Sequence, residues 1–316
     1  MSNTMWKYRP LDWILKATAY LPLRVLYVLA DITFVLMYYI IRYRRKVVDK
    51  NIIDSFPEKS RQEQQQTIRR FYRHFADYFF ETLKLHHISD DEMRRRMTFD
   101  NIELIDSLLS QGRSVVAYFS HCGNWEWATS ITLWTNHQPE KECVFGQVYR
   151  PLKNDWFDQY FLHLRSRFNS RSFPKSSVLR DLIRLHRSEI PTVTGFMSDQ
   201  KPSHNDALHV VRFLNRPTAV ITGTEVLARK LNMAVVYMDM EKHSRGHYHI
   251  TIRLITEHPE QMPELSITDT YTRMLEESIR RTPHIWLWSH KRWKHKVSLP
   301  PDYSEENAKT DSCNNS

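Results

Sequence analysis

The chain has 316 residues, 41% apolar and 26% charged: long enough for a full core, and neither disordered nor polytopic in composition. Three cysteines without framework spacing argue against a secreted disulfide scaffold, and 6 Gly with 14 Pro exclude collagen-like or low-complexity character. A net charge of +9 points to an anionic partner, whether nucleic acid, anionic lipid or an acidic protein.

Residues 25–41 read VLYVLADITFVLMYYII, an apolar run with one charge, Asp31. Arg24 precedes it, and Arg42, Arg44, Arg45 and Lys46 follow. A spanning helix wants about 20 apolar residues, so the run is at the short end. A cleavable leader fits poorly, because a basic cluster follows rather than a small-residue cleavage site. Three readings stay open: a spanning helix, a helix lying in the membrane interface, and a buried core helix. The basic flank favours membrane association, and a spanning segment would leave the remainder in the cytoplasm.

Next, Ser60-Arg61-Gln62-Glu63 is a capping-box signature. Ile68, Phe71, Tyr72, Phe75, Phe79 and Leu83 recur after it at helical spacing, which predicts a long amphipathic helix through about Lys84. The run SVVAYF at 114–119 is wholly apolar and predicts a buried strand. Further strands are predicted over 143–149, 192–197, 209–214, 234–240 and 247–255, and helices over 124–135, 155–168, 177–187, 223–231 and 268–281. This alternation predicts an α/β fold: a mixed, largely parallel central sheet flanked by helices, preceded by an N-terminal membrane-associated helix. Residues 1–45 are read as the membrane anchor or interfacial helix, 46–296 as the main domain and 297–316, polar throughout, as a disordered tail.

The chemistry falls after the first strand, in Ser120-His121-Cys122-Gly123-Asn124-Trp125-Glu126. Open α/β sheets place their sites at the carboxyl edge of the strands. His121 on the turn and Glu126 five residues on can approach each other. A carboxylate on one imidazole nitrogen fixes the tautomer, so that the other nitrogen can remove a hydroxyl proton. The alternative is a loop histidine bonded to a nearby carbonyl.

Around this segment stand Val148-Tyr149-Arg150-Pro151, Met197-Ser198-Asp199-Gln200, the stretch from Phe213 to Thr222-Gly223, and Trp286-Leu287-Trp288-Ser289-His290-Lys291-Arg292-Trp293. In this order and spacing the set resembles the bacterial lipid A biosynthesis acyltransferases, the lauroyl and myristoyl transferases. They belong to the wider lysophospholipid acyltransferase superfamily with its H-x4-D/E motif. The likeness runs from about residue 10 to 296, and one departure is Glu126, where the superfamily often has Asp.

The resemblance implies an inner-membrane enzyme with its catalytic domain on the cytoplasmic side. It would move a fatty acyl chain from an acyl carrier protein thioester to a hydroxyl of a lipid A precursor. His121 would be the general base with Glu126 as its partner. Arg150 would face the anionic acceptor or the oxyanion, Asp199 and Gln200 would shape the site edge, and Asn124 and Arg292 complete the expected substrate-binding set. No metal, cofactor or covalent intermediate is expected. The expected partners are the acidic carrier protein, an anionic glycolipid and the inner membrane, not nucleic acid.

Each residue also has a plainer reading. Arg150 before Pro151 reads equally as a loop arginine paired to a carboxylate, and Asp199 as a turn former. Cys122 beside His121 reads as small packing, and Cys143 as core. The acid-free stretch 278–301 interleaves Arg280, Arg281, Lys291, Arg292, Lys294 and Lys296 with three tryptophans, which suits nucleic acid, a lipid interface or an acidic carrier. A second basic region, from Arg165 to Arg187, is suggested for carrier docking. His243, His247 and His249 are read as a strand pattern rather than a metal site. Two other functions remain: transfer to a lysophospholipid, glycerol phosphate or amino lipid with acyl-CoA as a possible donor, and a non-catalytic basic binding module.

Overall fold

The computed structural model describes residues 6–203 and 209–301. The chain opens with α1 (Arg9–Tyr20), α2 (Leu23–Val35), α3 (Arg45–Ser55), α4 (Arg61–Lys84) and α5 (Asp90–Arg96). It continues with β1 (Met97–Asp100), α6 (Ile102–Ser110), β2 (Val115–Phe119), a 3-10 segment (Trp127–Leu133), β3 (Val144–Tyr149) and α7 (Asp155–Arg165). Then come β4 (Arg171–Pro174), α8 (Val178–Arg187), β5 (Thr192–Met197), β6 (His209–Phe213), β7 (Arg216–Val220) and α9 (Gly223–Lys230). It closes with β8 (Ala234–Ser244), β9 (His247–Thr256), α10 (Ser266–Arg281) and a 3-10 turn (Pro283–Ile285).

Seven strands form one sheet in the order β1-β9-β8-β2-β5-β3-β4, parallel except at β8–β9. The mixed, largely parallel α/β sheet expected from the sequence is what forms. The central strands are apolar along their whole length because both faces are covered. In β2, Val116 and Tyr118 enter the core beneath α4, α8, α9 and α10, while Val115 and Ala117 enter the core beneath α6, α7 and the 3-10 segment.

The long helix starts where the capping box places it. The Ser60 hydroxyl accepts the Glu63 backbone N–H, and the Glu63 carboxylate accepts the Ser60 backbone N–H at 2.8 Å. The helix expected over 124–135 is instead the 3-10 segment Trp127–Leu133. Trp127, Ala128, Thr129, Ser130 and Ile131 are all buried in succession, so no amphipathic stripe exists to set an α-helix against the sheet. The strand expected over 209–214 does form, as β6, but outside the main sheet. It pairs antiparallel with β7 across Leu214 and Asn215, both at positive φ, the geometry of a tight two-residue hairpin.

The apolar N-terminal stretch is a helix, α2 continued by a π turn (Leu36–Ile40). It packs on α4 through Leu26, Ala30 and Phe34, while Val25, Val28, Ile32 and Val35 stay exposed. Only 22% of the apolar stretch Leu23–Ile40 is buried, whereas a core helix would be mostly enclosed. The stretch 278–301 is divided between core and surface: Lys291, Lys294 and Lys296 are exposed, whereas its first two tryptophans are buried. Trp286 and Trp288 are 3% and 0% exposed, Arg280 pairs with Glu276, and Arg281 pairs with Asp239. Of the expected tail, residues 302–316 lie outside the described residues.

Candidate active site

Strands β2 and β5 lie side by side and parallel, with Phe119 opposite Met197. Continuing that register two residues past each carboxyl end sets His121 against Asp199. The contact is close: His121 Nδ1 lies 2.7 Å from Asp199 Oδ1, and the His121 backbone N–H donates to Asp199 Oδ2 at 2.9 Å. The Trp286 indole N–H donates to the same Oδ2 at 2.8 Å. The segment carrying Trp286 runs beside the histidine turn and holds it. Gly123 N–H donates to the Ile285 carbonyl at 3.0 Å, and Leu287 N–H to the His121 carbonyl at 3.0 Å. Gly123 sits at φ +60, and a Cβ there would stand 2.4 Å from Met240 Sδ, so glycine is required at this turn.

These bonds dictate a tautomer. Burial works against charge on Asp199, yet the His121 charge, ring and backbone N–H and the Trp286 N–H hold its carboxyl below the usual range. An ionised carboxylate only accepts, so Nδ1 carries a proton, and in the neutral imidazole Nε2 then presents the lone pair. The Gln200 amide nitrogen lies 3.1 Å from that Nε2. His121 and Gln200 both line a cavity of ≈ 990 Å³.

Glu126 also lines the cavity, but its carboxylate is taken by Arg165, at 2.6 and 2.8 Å in a forked pair. The imidazole partner is therefore Asp199, and the expected direct pairing of His121 with Glu126 is replaced by two separate pairs. Burial opposes the Arg165 charge, and the Glu126 carboxylate outweighs it, raising the guanidinium above its ordinary value. The remaining expected site residues divide. Arg150 is exposed and lines the cavity. Asn124 is fully buried and does not reach it: its amide donates to Glu81 at 3.0 Å and its carbonyl accepts the Trp127 N–H. Arg292 likewise lies behind the site, donating to the Ala219 carbonyl at 2.6 Å, with burial pushing it down to about 10 against the pull of Asp199. Neither Asn124 nor Arg292 is placed to touch a substrate. Cys122 is buried and its thiol pushed well up by that burial, so it is packing, not a nucleophile.

The cavity crosses the carboxyl edge of the sheet and has a lobe on each face. One lobe is enclosed, with Ala117, Val193, Phe145, Ile131 and Met238 buried around it. The other is open, between α8 and α9, lined by Val178, Leu179, Phe196 and Val226, with Lys175 and Lys230 exposed nearby. Sequence reasoning missed Arg165 as the Glu126 partner, and no local signal could have shown it across 39 residues. Asp199 carried a signal, since it closes a predicted strand, but the strand pairing that brings it to His121 is tertiary.

The family model described as bacterial lipid A biosynthesis acyltransferase matches residues 11–295. The chain belongs to this family. It is also similar to the lipid A biosynthesis lauroyltransferase of Escherichia coli (strain K12), with 24% identity over 255 residues that cover 79% of each chain. The match spans both parallel strands of the histidine–aspartate pair and the tryptophan segment that holds them. The site thus belongs to an acyltransferase of lipid A biosynthesis.

Proposed function

We propose that the protein is a membrane-associated secondary acyltransferase, transferring a fatty acyl chain from an acyl carrier protein thioester to a hydroxyl of a lipid A precursor. The observation that carries the reading is His121, held at Nδ1 by the Asp199 carboxylate, with Nε2 on the side of a large, mostly apolar cavity. In the reaction the acceptor hydroxyl displaces the Gln200 amide from Nε2. Its oxygen attacks the thioester carbonyl carbon while its proton passes to Nε2. Collapse of the tetrahedral intermediate breaks the carbon–sulfur bond, and the imidazolium returns the proton to the departing thiolate. Asp199 holds the imidazolium throughout.

The thioester is already activated, so the remaining demands are positioning and charge stabilisation. Arg165, held on the cavity wall by Glu126, supplies a fixed cation for the developing oxyanion, and Arg150 at the rim meets anionic groups of the substrates. The enclosed lobe suits one saturated chain. The open lobe, with cations at its mouth, suits the acylated acceptor, because its hydroxyl sits on a chain. A volume of ≈ 990 Å³ is at the upper end of ligand pockets and accommodates both. Lys175 with Arg180 and Arg187 on α8 offers an exposed basic face for an acidic carrier. The exposed face of α2 and its basic flank support docking on the cytoplasmic side of the inner membrane.

The test is an acyl-transfer assay of the detergent-solubilised chain, crossing carrier-protein and CoA thioesters with lipid A precursor and lysophospholipid acceptors. The expected productive pair is carrier-protein donor with lipid A precursor. His121→Ala is expected to lose about 10²-fold or more in kcat. Equal turnover by that variant would sink the base assignment, and turnover only with CoA and lysophospholipid would replace the substrates.

A further inference from the structure

Away from the catalytic cavity a second concavity of ≈ 400 Å³ lies between α4, the β8–β9 hairpin and the 3-10 turn Pro283–Ile285. Its walls are Arg70, Arg73, His74, Asp77, Lys242, Arg245 and His284, none of which lines the catalytic cavity. Four cationic side chains therefore face one another here; their ion-pair partners among the described residues are Asp77 and Asp31, and the buried Glu81 also acts on Lys242. Asp77 is shared by Arg245 and by Lys242 at 3.4 Å, and Asp31 by Arg245 at 3.0 Å and Arg73 at 3.4 Å. Arg70 has no carboxylate partner among the described residues. The surplus is felt by the histidine: burial first, then Lys242 and Arg70, push His284 down to about 4. A concave surface with uncompensated positive charge and a free guanidinium is a site for a phosphate group, which arginine holds by paired N–H bonds.

Its position selects the source of that phosphate. The rim is α2 itself: Arg245 donates to the Tyr27 carbonyl at 3.2 Å and to Asp31, and its guanidinium lies 4.4 Å over the Tyr27 ring. Arg73 lies over the Phe34 ring, about two helical turns beyond Tyr27. The same helix leaves Val28, Ile32 and Val35 exposed. A phosphate seated here is therefore beside an apolar helix face, where the headgroup of a bilayer lipid would lie if that face contacts acyl chains. We propose that this concavity binds the phosphate of an anionic membrane phospholipid, and so fixes the rotation of α2 and the body of the protein against the membrane surface. The proposal is independent of the acyl-transfer chemistry, because it uses no residue of the catalytic cavity.

The test is co-sedimentation of the full chain with phosphatidylcholine vesicles, with and without phosphatidylglycerol. Arg70→Gln is compared with Arg69→Gln, an equal charge change at an exposed neighbour that does not line the concavity. Arg70 is exposed and carries no ion pair among the described residues, so its variant is expected to keep the fold, checked by circular dichroism. Expected is tighter binding to the anionic vesicles, weakened about fivefold by Arg70→Gln, the effect of one cation near an anionic surface, and much less by Arg69→Gln. Equal weakening by both variants would reduce the site to diffuse surface charge and overturn the proposal, as would no preference for phosphatidylglycerol. A calorimetric titration with inorganic phosphate separates the sources. Phosphate binding abolished by Arg70→Gln, with vesicle binding unchanged, would assign the site to a soluble anion and overturn the lipid.

Discussion

Two carboxylates near one imidazole have been given different work by their surroundings. Asp199 is 3% exposed and spends both oxygens on His121 and Trp286, whereas Glu126, also 3% exposed, spends both on Arg165. The variants should therefore fail differently. Asp199→Asn keeps the volume but removes the charge that stabilises the imidazolium, so kcat is expected to fall about 10²-fold or more with KM little changed. Glu126→Gln leaves a buried arginine without its counter-charge, a loss of about 3–5 kcal/mol that a thermal melt should register as a fall of about 5–8 °C. A Glu126→Gln protein that melts like wild type would show that the Arg165 pair does not hold the fold.

Between elements, the enclosed lobe exists because small residues meet in register. Ala117 on β2 pairs with Gly195 on β5, on the sheet face that the 3-10 segment covers, and Val193 with Phe145 closes the deeper row. A Cβ at Gly195 would stand 3.3 Å from the Phe119 ring, itself part of the cavity wall and able to yield. Gly195→Val should shorten the lobe and favour shorter acyl donors. At about 0.8 kcal/mol per buried methylene, the ratio of kcat/KM values for chains two carbons apart should move about tenfold towards the shorter. Measuring both donors tests this, and an equal fall for every chain length would show that the lobe does not hold the donor.

For the molecule as a whole, α2 presents two unlike faces. Leu26, Ala30 and Phe34 complete the core against α4, and Val28 and Ile32 face outward, 58% and 53% exposed. Placing a charge on the outer face should separate the two. Ile32→Asp is expected to weaken membrane partition by about 10²-fold, from the roughly 3 kcal/mol cost of an acidic residue in the apolar layer, with the melting temperature nearly unchanged. Flotation of membranes from expressing cells reads the first quantity and calorimetry the second. A variant that stays with the membrane would show that the outer face does not meet lipid.

By itself the sequence determined the layered α/β class, the long capped helix, the central strands and the histidine turn, because each rests on periodicity or capping within a few residues. It also placed Asp199 and Gln200 directly after a predicted strand, which is where such sheets carry their sites. What only the tertiary structure decided is which carboxylate serves which cation. Strand order fixes that β2 lies beside β5, so that His121 meets Asp199 across 78 residues, and the packing of α7 brings Arg165 to Glu126. Local patterning states which face of a strand is apolar but not which strand is its neighbour. The same limit sent Asn124 and Arg292 to the substrate in the sequence reading and behind the site in the fold. A polar side chain has the same letter whether it satisfies a buried carbonyl or faces a ligand.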